Sequence, residues 1–234
     1  MNSPSTTIKK DKVVVVSGAG LSAPSGLSTF RDNNGLWRTY RFEDVASPNA
    51  WKKQPQVVLE FYNERRAKAA DATPNAGHLA IAALEREFEV VVITQNVDDL
   101  HERAGSTKVI HLHGELSKAR STEDESLVYE IGAKPIALGD HCEKGSQLRP
   151  HIVWFGEEVK LIDTAADELA DAGRVLVVGT SLKVYPAAGL CSVAHDEALK
   201  YYVDLDAKRK VEGFEVIQGS ADVILPELLK TWTR

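Results

Sequence analysis

The sequence predicts an α/β fold, a parallel sheet with helices on both faces plus a smaller inserted lobe. Three observations carry this. Short apolar runs alternate with helical patterns through most of the chain, as they do where helices cover both faces of a parallel sheet. The first run, Val13–Val16, passes at once into the glycine turn Gly18-Ala19-Gly20, the way a dinucleotide-binding unit opens. Two stretches, 33–75 and 115–149, break the alternation. The first is aromatic and charged around a central helix, the second polar and irregular. Both read as insertions that pack together as the second lobe of a Rossmann-like fold.

The elements follow in order. Strands are expected at Val13–Val16, Val90–Ile93, Val109–Ile110, Val175–Val178, Tyr201–Leu205 and Glu215–Ile217. Helices are expected at Val57–Ala70, Ala76–Arg86, Asp163–Ala170, Pro186–Ala194 and Ala221–Leu229. Residues 1–10 read as a flexible tail and 11–234 as one domain of two lobes. Its larger lobe is drawn from residues 11–32, 76–114 and 150–234. There is no internal repeat or low-complexity segment.

Composition bounds the function. With 234 residues, 43% hydrophobic and 26% charged, the chain is globular. A net charge of −6 argues against binding nucleic acid through a basic surface, and leaves a basic protein open as substrate. Two cysteines, Cys142 and Cys191, make no disulfide framework and read as reduced thiols of a cytoplasmic protein. The first ten residues lack the apolar centre of a secretory signal. No run approaches the ~18 apolar residues of a membrane span. Nothing in the sequence sets an oligomeric state.

In such sheets ligands bind beyond the carboxyl ends of the strands, so the turns after the strands carry the candidate chemistry. At SGAG (17–20) the glycines let backbone approach a phosphate, with Ser22 as a hydroxyl donor; the competing reading is a tight turn with no ligand. Thr29-Phe30-Arg31-Asp32 adds an arginine suited to a diphosphate and a ring able to shield a sugar, or merely a surface ion pair. In TQNVDDLH (94–101), Gln95, Asn96 and Asp98 combine amides and a carboxylate, which together read a carboxamide; equally, Asn96 or Asp98 caps the helix entered at Leu100. In HLHGE (111–115), His111 and His113 alternate along a strand end, so one faces the cleft as a candidate general base and a two-His metal site is disfavoured. RPHIVWFGE (149–157) supplies Val153, Trp154 and Phe155 to wall a tunnel. Gly156-Glu157 and Leu182–Tyr185 offer backbone edges to an extended peptide. For both, core packing or a capped Gly-Thr-Ser turn is the plainer alternative.

Taken in order, GAGLSAPSGLSTFR, TQNVDDLH, HLHGE, RPHIVWFGE and VVGTSLKVYPAAG resemble the sirtuin family of NAD-dependent protein lysine deacylases, over roughly residues 12–225. The resemblance implies NAD as cofactor and acylated lysine side chains of proteins as substrate, with no membrane or direct nucleic-acid partner. It implies that Gly18, Ala19 and Gly20 line the diphosphate, with Ser22 and Arg31 near, and that Phe30 covers the ribose. Gln95, Asn96 and Asp98 would hold the nicotinamide end, His113 would be the base, and Gly179, Thr180 and Ser181 would contact the adenosine side, with Ala221 beside them. Val153, Phe155, Gly156, Glu157 and Val184 would contact the acyl-lysine peptide. The implied reaction joins the acyl oxygen to the nicotinamide ribose carbon as nicotinamide leaves. His113 then deprotonates a ribose hydroxyl that attacks the acyl carbon, and water releases lysine and O-acyl-ADP-ribose.

Tyr62 and Arg65, at i and i+3 on one helix face, resemble the YxxR pair of class III sirtuins, which remove succinyl, malonyl or glutaryl groups. A phenol beside a guanidinium suits a terminal carboxylate; a solvated helix face is the alternative. Arg66 is expected to face elsewhere. Three departures stand out. The interval where most sirtuins place two cysteine pairs holds Cys142 alone, so no structural zinc is expected. The small lobe would then rest on Leu127, Val128, Ile131, Ile136 and Leu138. Ser28 replaces a usual proline. Asp204 replaces a usual asparagine at the adenine ribose, where a carboxylate repels a 2′-phosphate and favours NAD over NADP. Rival activities are broad deacetylation, protein ADP-ribosylation, NAD sensing without catalysis and, weakest, an ordinary dehydrogenase, since GxGxxG is incomplete.

Overall fold

The computed structural model describes residues 7–29, 42–206 and 211–233. Strand β1 (Lys9–Ser17) leads into the short helix α1 (Ala19–Ser22). Helices α2 (Phe42–Val45), α3 (Pro48–Lys53), α4 (Pro55–Asp71) and α5 (Ala76–Ala83) precede β2 (Glu89–Thr94). Then come α6 (Leu100–Ala104), β3 (Val109–His111), β4 (Gly114–Ser121), β5 (Val128–Glu130) and β6 (Leu148–Ile152). Helix α7 (Ile162–Ala170), β7 (Ala172–Val178), β8 (Leu199–Asp204), β9 (Glu215–Gln218) and α8 (Ala221–Lys230) complete the chain.

The main sheet runs β3-β2-β1-β7-β8-β9, and its pairings are parallel. Its centre shows why the sequence reads as a continuous valine run. Val14 and Val16 pack on Leu169 of α7, while Val13 and Val15 pack on Ile81 of α5 and Leu225 of α8. Neither face of β1 meets water, so both alternating positions are apolar. Strand order reverses at β1, which lies between β2 and β7. That is a topological switch point, the place beyond the carboxyl ends of the strands where ligands bind in such sheets.

The second lobe differs from the expectation. Residues 115–149 were expected to be irregular, yet they hold most of a three-stranded antiparallel sheet, β5-β4-β6. Its inward positions are few and small, so period-two patterning is faint: in β4 the buried apolar side chains are Leu116 and Ala119. Helix α4 covers the lobe. Pro55 starts it at the position where a missing N–H costs nothing, and Phe61 and Tyr62 pack on Leu116, Ile152 and Trp154. Asn63 locks the loop at Ile136 by a reciprocal pair of 2.9 Å hydrogen bonds, and Arg66 donates to the Leu116 carbonyl at 2.6 Å. Of the apolar contacts expected there, Ile136 is buried and Ile131 packs beside it, whereas Val128 and Leu138 are exposed.

Three smaller corrections follow. Lys9 and Lys10, assigned to the tail, belong to β1, because Lys9 pairs with Asp171 beside β7 through both backbone and side chain. The expected helix Pro186–Ala194 is a 3₁₀ helix over Ala187–Val193. The strand expected at Tyr201–Leu205 begins at Leu199 and ends at Asp204. No helix among the described residues is long and apolar enough to cross a membrane.

Candidate active site

A cleft of about 740 Å³ opens over the switch point and runs between the two lobes. At its cofactor end two turns touch backbone to backbone. A Cβ on Gly20 would lie 2.8 Å from the Gly179 Cα, and one on Gly18 would lie 2.7 Å from the Thr180 Cβ. Gly179 has φ +61°, and a Cβ there would sit 2.3 Å from the Leu21 nitrogen. These glycines are therefore required by the contact between the turns themselves. The amides of Gly18 and Gly20 already donate to the carbonyls of Val178 and Gly179, a contact between distant turns that neither the phosphate reading nor the tight-turn alternative anticipated. Asn75 fixes the same loop: its side chain accepts from Gly77 to cap α5 and donates to the Leu21 carbonyl at 2.8 Å. The sequence reading expected a helix from Ala76 and did not single out Asn75, whose link to the glycine loop leaves no local trace.

The turn after β2 gathers the polar cluster. Asn96 donates from Nδ2 to the Gly18 carbonyl (3.2 Å) and the Ser22 hydroxyl (3.0 Å). Asn96 also lines the cleft. Asp98 accepts from the Leu100 amide at 3.2 Å and from the Ser22 hydroxyl, while burial pushes its carboxyl upward. So Asp98 makes the capping-type contact and lines the cleft as well, and Ser22 is spent between Asn96 and Asp98 instead of standing free for a phosphate. Gln95 donates to the Thr180 hydroxyl at 3.0 Å, tying the turns after β2 and β7 together.

The two histidines separate as expected, although by a turn at 112–113 and not by strand alternation. His111 is held between the Asn96 carbonyl and Glu102, at 3.2 and 2.7 Å. Burial pulls its pKa down, but Glu102 outweighs this and raises it. His113 lines the cleft. Its Nδ1 donates to the Gln95 carbonyl at 3.1 Å, which places the lone pair on Nε2. Burial lowers its pKa below 6.5, so the ring is a neutral base near neutral pH.

At the other end, Tyr62 and Arg65 both reach the cleft, and Arg66 turns away into the small lobe. Burial pushes the Tyr62 phenol up to about 12, and burial also lowers the Arg65 pKa. The Tyr62 oxygen accepts from Trp154 Nε1–H at 3.1 Å. Trp154 is itself clamped: the Arg149 guanidinium lies 3.3 Å from the ring centroid, and the Trp154 amide donates to Glu157 at 2.8 Å. Arg149 and Glu157 form a bidentate pair at 2.6 and 3.1 Å, with Arg120 3.3 Å from the same carboxylate. The sequence reading gave Glu157 to the substrate peptide. Its carboxylate accepts from Arg149, Arg120 and the Trp154 amide inside the protein, and its own amide bonds the Trp154 carbonyl. The amides of Val153 and Phe155 likewise go to His113 and Ala46, so the expected free backbone edge is shorter than the sequence suggested.

The structure brings Gly18, Ala19, Gly20, Ser22, Gln95, Asn96, Asp98, His113, Gly179, Thr180, Ser181, Asp204 and Ala221 to one cleft. Tyr62, Arg65, Val153, Phe155, Gly156, Glu157 and Val184 line it as well. Phe30 and Arg31 lie outside the described residues. Lys68, one turn beyond Arg65, also lines the cleft and was not anticipated; on sequence it is indistinguishable from any exposed lysine of α4. Among the described residues no three His, Cys, Asp or Glu side chains are placed to hold a metal ion.

Comparison with known proteins agrees with this geometry. The Sir2 family model matches residues 18–186. The chain is 53% identical over 196 residues to an NAD-dependent protein deacylase of Helicobacter pylori, covering 84% of this chain and 85% of that one. It superposes on a Sir2 homologue–NAD complex with a TM-score of 0.85 and 40% identity, covering 94% of this chain and 88% of that one. A Sir2 protein bound to acetylated peptide aligns with a TM-score of 0.78 and 27% identity, covering 94% and 92%. With the family model spanning the glycine turn, the polar cluster, the histidine and the peptide-side loops, the chain belongs to the Sir2 family.

Proposed function

We propose that this Sir2-family enzyme, an NAD-dependent protein deacylase, removes acyl groups ending in a carboxylate (succinyl, malonyl or glutaryl) from lysine side chains. The products are nicotinamide, free lysine and an O-acyl-ADP-ribose. The observation that supports the acyl assignment is the Tyr62 hydroxyl and the partly buried Arg65 guanidinium facing one cleft among apolar walls such as Leu116, Ile152 and Trp154. A guanidinium whose pKa burial has lowered is stabilised by an arriving carboxylate, which accepts two N–H bonds.

The residues present fit NAD. The two glycine turns meet at the switch point, and Asp204 ends the neighbouring strand β8, where a carboxylate accepts ribose hydroxyls. When bound, NAD supplies an electrophilic ribose carbon with nicotinamide as leaving group. The chain does the rest. Asn96 and Asp98 present two acceptor oxygens, a match for the two N–H bonds of a carboxamide. His113 accepts a proton at Nε2 from a sugar hydroxyl, and its Nδ1–H bond to Gln95 keeps that nitrogen aimed. Trp154, 2% exposed, excludes water from the acyl end. Replacing Arg65 by methionine tests the acyl assignment. Desuccinylation should fall by about 10- to 100-fold, the worth of a charged hydrogen-bond pair, with deacetylation largely retained. Equal loss of both would leave a deacylase of broad specificity.

A further inference from the structure

Tyr62 carries one O–H and two lone pairs, whereas an indole N–H only donates. The 3.1 Å bond from Trp154 Nε1 to the Tyr62 oxygen therefore has one direction. It takes a lone pair and leaves the Tyr62 hydrogen pointed elsewhere. Tyr62 is 1% exposed, so a donor held there is rotationally restricted, and accepting one hydrogen bond polarises the O–H for donating another. Arg65 lies one turn further along the same face of α4, lining the same cleft.

The indole in turn has little freedom. Arg149 stacks on one face at 3.3 Å, and Glu157 holds the Trp154 amide at 2.8 Å and chelates the same Arg149. Arg149 also donates to the Ile152 carbonyl at 2.9 Å, which ties the cluster to β6. An ion pair this deep is poor evidence for stability by itself. What it achieves here is a fixed position for one N–H.

We propose that Trp154 is a specificity-determining positioning residue. Its indole N–H orients the Tyr62 hydroxyl to donate to the carboxylate of an acidic acyl group, and the Arg149–Glu157 pair holds the indole in that place. The proposal rests on the acidic-acyl reading above.

The test measures kcat and KM with NAD and matched succinyl-lysine and acetyl-lysine peptides for the wild type, Trp154→Phe, Tyr62→Phe, the double variant and Arg65→Met. Trp154→Phe should raise KM for the succinyl peptide about threefold to tenfold more than for the acetyl peptide, the worth of one neutral hydrogen bond. The double variant should be no worse than Tyr62→Phe alone, because both remove the same contact. If Trp154→Phe proves unstable, benzothienylalanine at 154 keeps the bicyclic ring and removes only the N–H, and the same selective rise in KM is expected. Equal loss on both peptides, or multiplicative effects of the two single variants, would overturn the relay while Arg65→Met still showed selective loss. If Arg65→Met harmed both peptides alike, the acidic-acyl reading would fail first and take the relay with it.

Discussion

The two ends of the cleft are built from different materials. At the cofactor end the geometry is backbone against backbone: Gly20 on Gly179, with Gly179 itself at φ +61°. At the acyl end it is side chain against side chain, a chain of donors and charges from Arg149 and Glu157 through Trp154 to Tyr62. The first arrangement is broken by a methyl group. The second tolerates volume better and is broken by a lost proton or charge. His113 sits between, with its ring anchored by the Gln95 carbonyl and its own carbonyl accepting from Val153. It couples the turn after β2 to the loop that carries Trp154.

That contrast can be attacked at several points. His113→Ala should cost the most, about 10²- to 10⁴-fold in kcat for succinyl and acetyl peptides alike, with NAD binding retained by calorimetry. A loss confined to one peptide would place the base at the wrong end. Glu157→Gln leaves Arg149 and Arg120 facing a neutral amide, so about 3 kcal/mol of stability should go in urea unfolding, in line with removing one partner of a largely buried pair. Gly179→Ala should cost about 1–3 kcal/mol from backbone strain and weaken NAD binding, without changing the ratio of the two peptides. An unchanged NAD Kd would break the backbone-contact account.

Acid should act through two buried histidines. His78 and His101 are at most 1% exposed with rings 5.1 Å apart. Burial lowers the His78 pKa to about 4 and holds His101 well below 6.5. The unfolded chain binds these protons first, so stability is full above about pH 6.5 and falls as pH drops toward 4. Urea midpoints at pH 7 and pH 5 would show the drop; equal midpoints would contradict it. The acid limb of kcat/KM should likewise lie below pH 6.5, since His113 is also depressed. The smallest expected effect is that of a strong chelator. With α4 packing and the Asn63–Ile136 bond pair holding the small lobe, the melting temperature should not move, and stoichiometric zinc in purified protein would contradict this.

How much was legible follows the same division. The parallel sheet was readable because Val13–Val16 and Val175–Val178 are apolar on both faces, and the glycine turn follows β1 directly. The cleft side of the HLHGE motif came out as expected for a different reason: a turn at 112–113, and not strand alternation, puts His113 alone of the pair in the cleft lining. The antiparallel sheet was not readable, because β4 has only Leu116 and Ala119 as buried apolar side chains, set among the charged Glu115, Lys118 and Arg120. The internal partners of Glu157 were not readable for a related reason: nothing local marks its carboxylate as the partner of Arg149 and Arg120. Glycines 18, 20 and 179 were seen as ligand-facing because a contact between two turns about 160 residues apart leaves no local trace.

The central claim is that one cleft cleaves NAD at its glycine end and reads an acidic acyl group at its Tyr62–Arg65 end. Its most direct test is incubation of the protein with NAD and equal amounts of succinyl-lysine and acetyl-lysine peptides, following both peptide masses and free nicotinamide, beside His113→Ala. The account predicts that succinyl is removed much faster, that nicotinamide appears one for one with free lysine, and that steady-state lysine release falls by about 10²- to 10⁴-fold in the variant. Equal rates on the two peptides would contradict the acyl assignment, and nicotinamide release without free lysine would contradict deacylation itself.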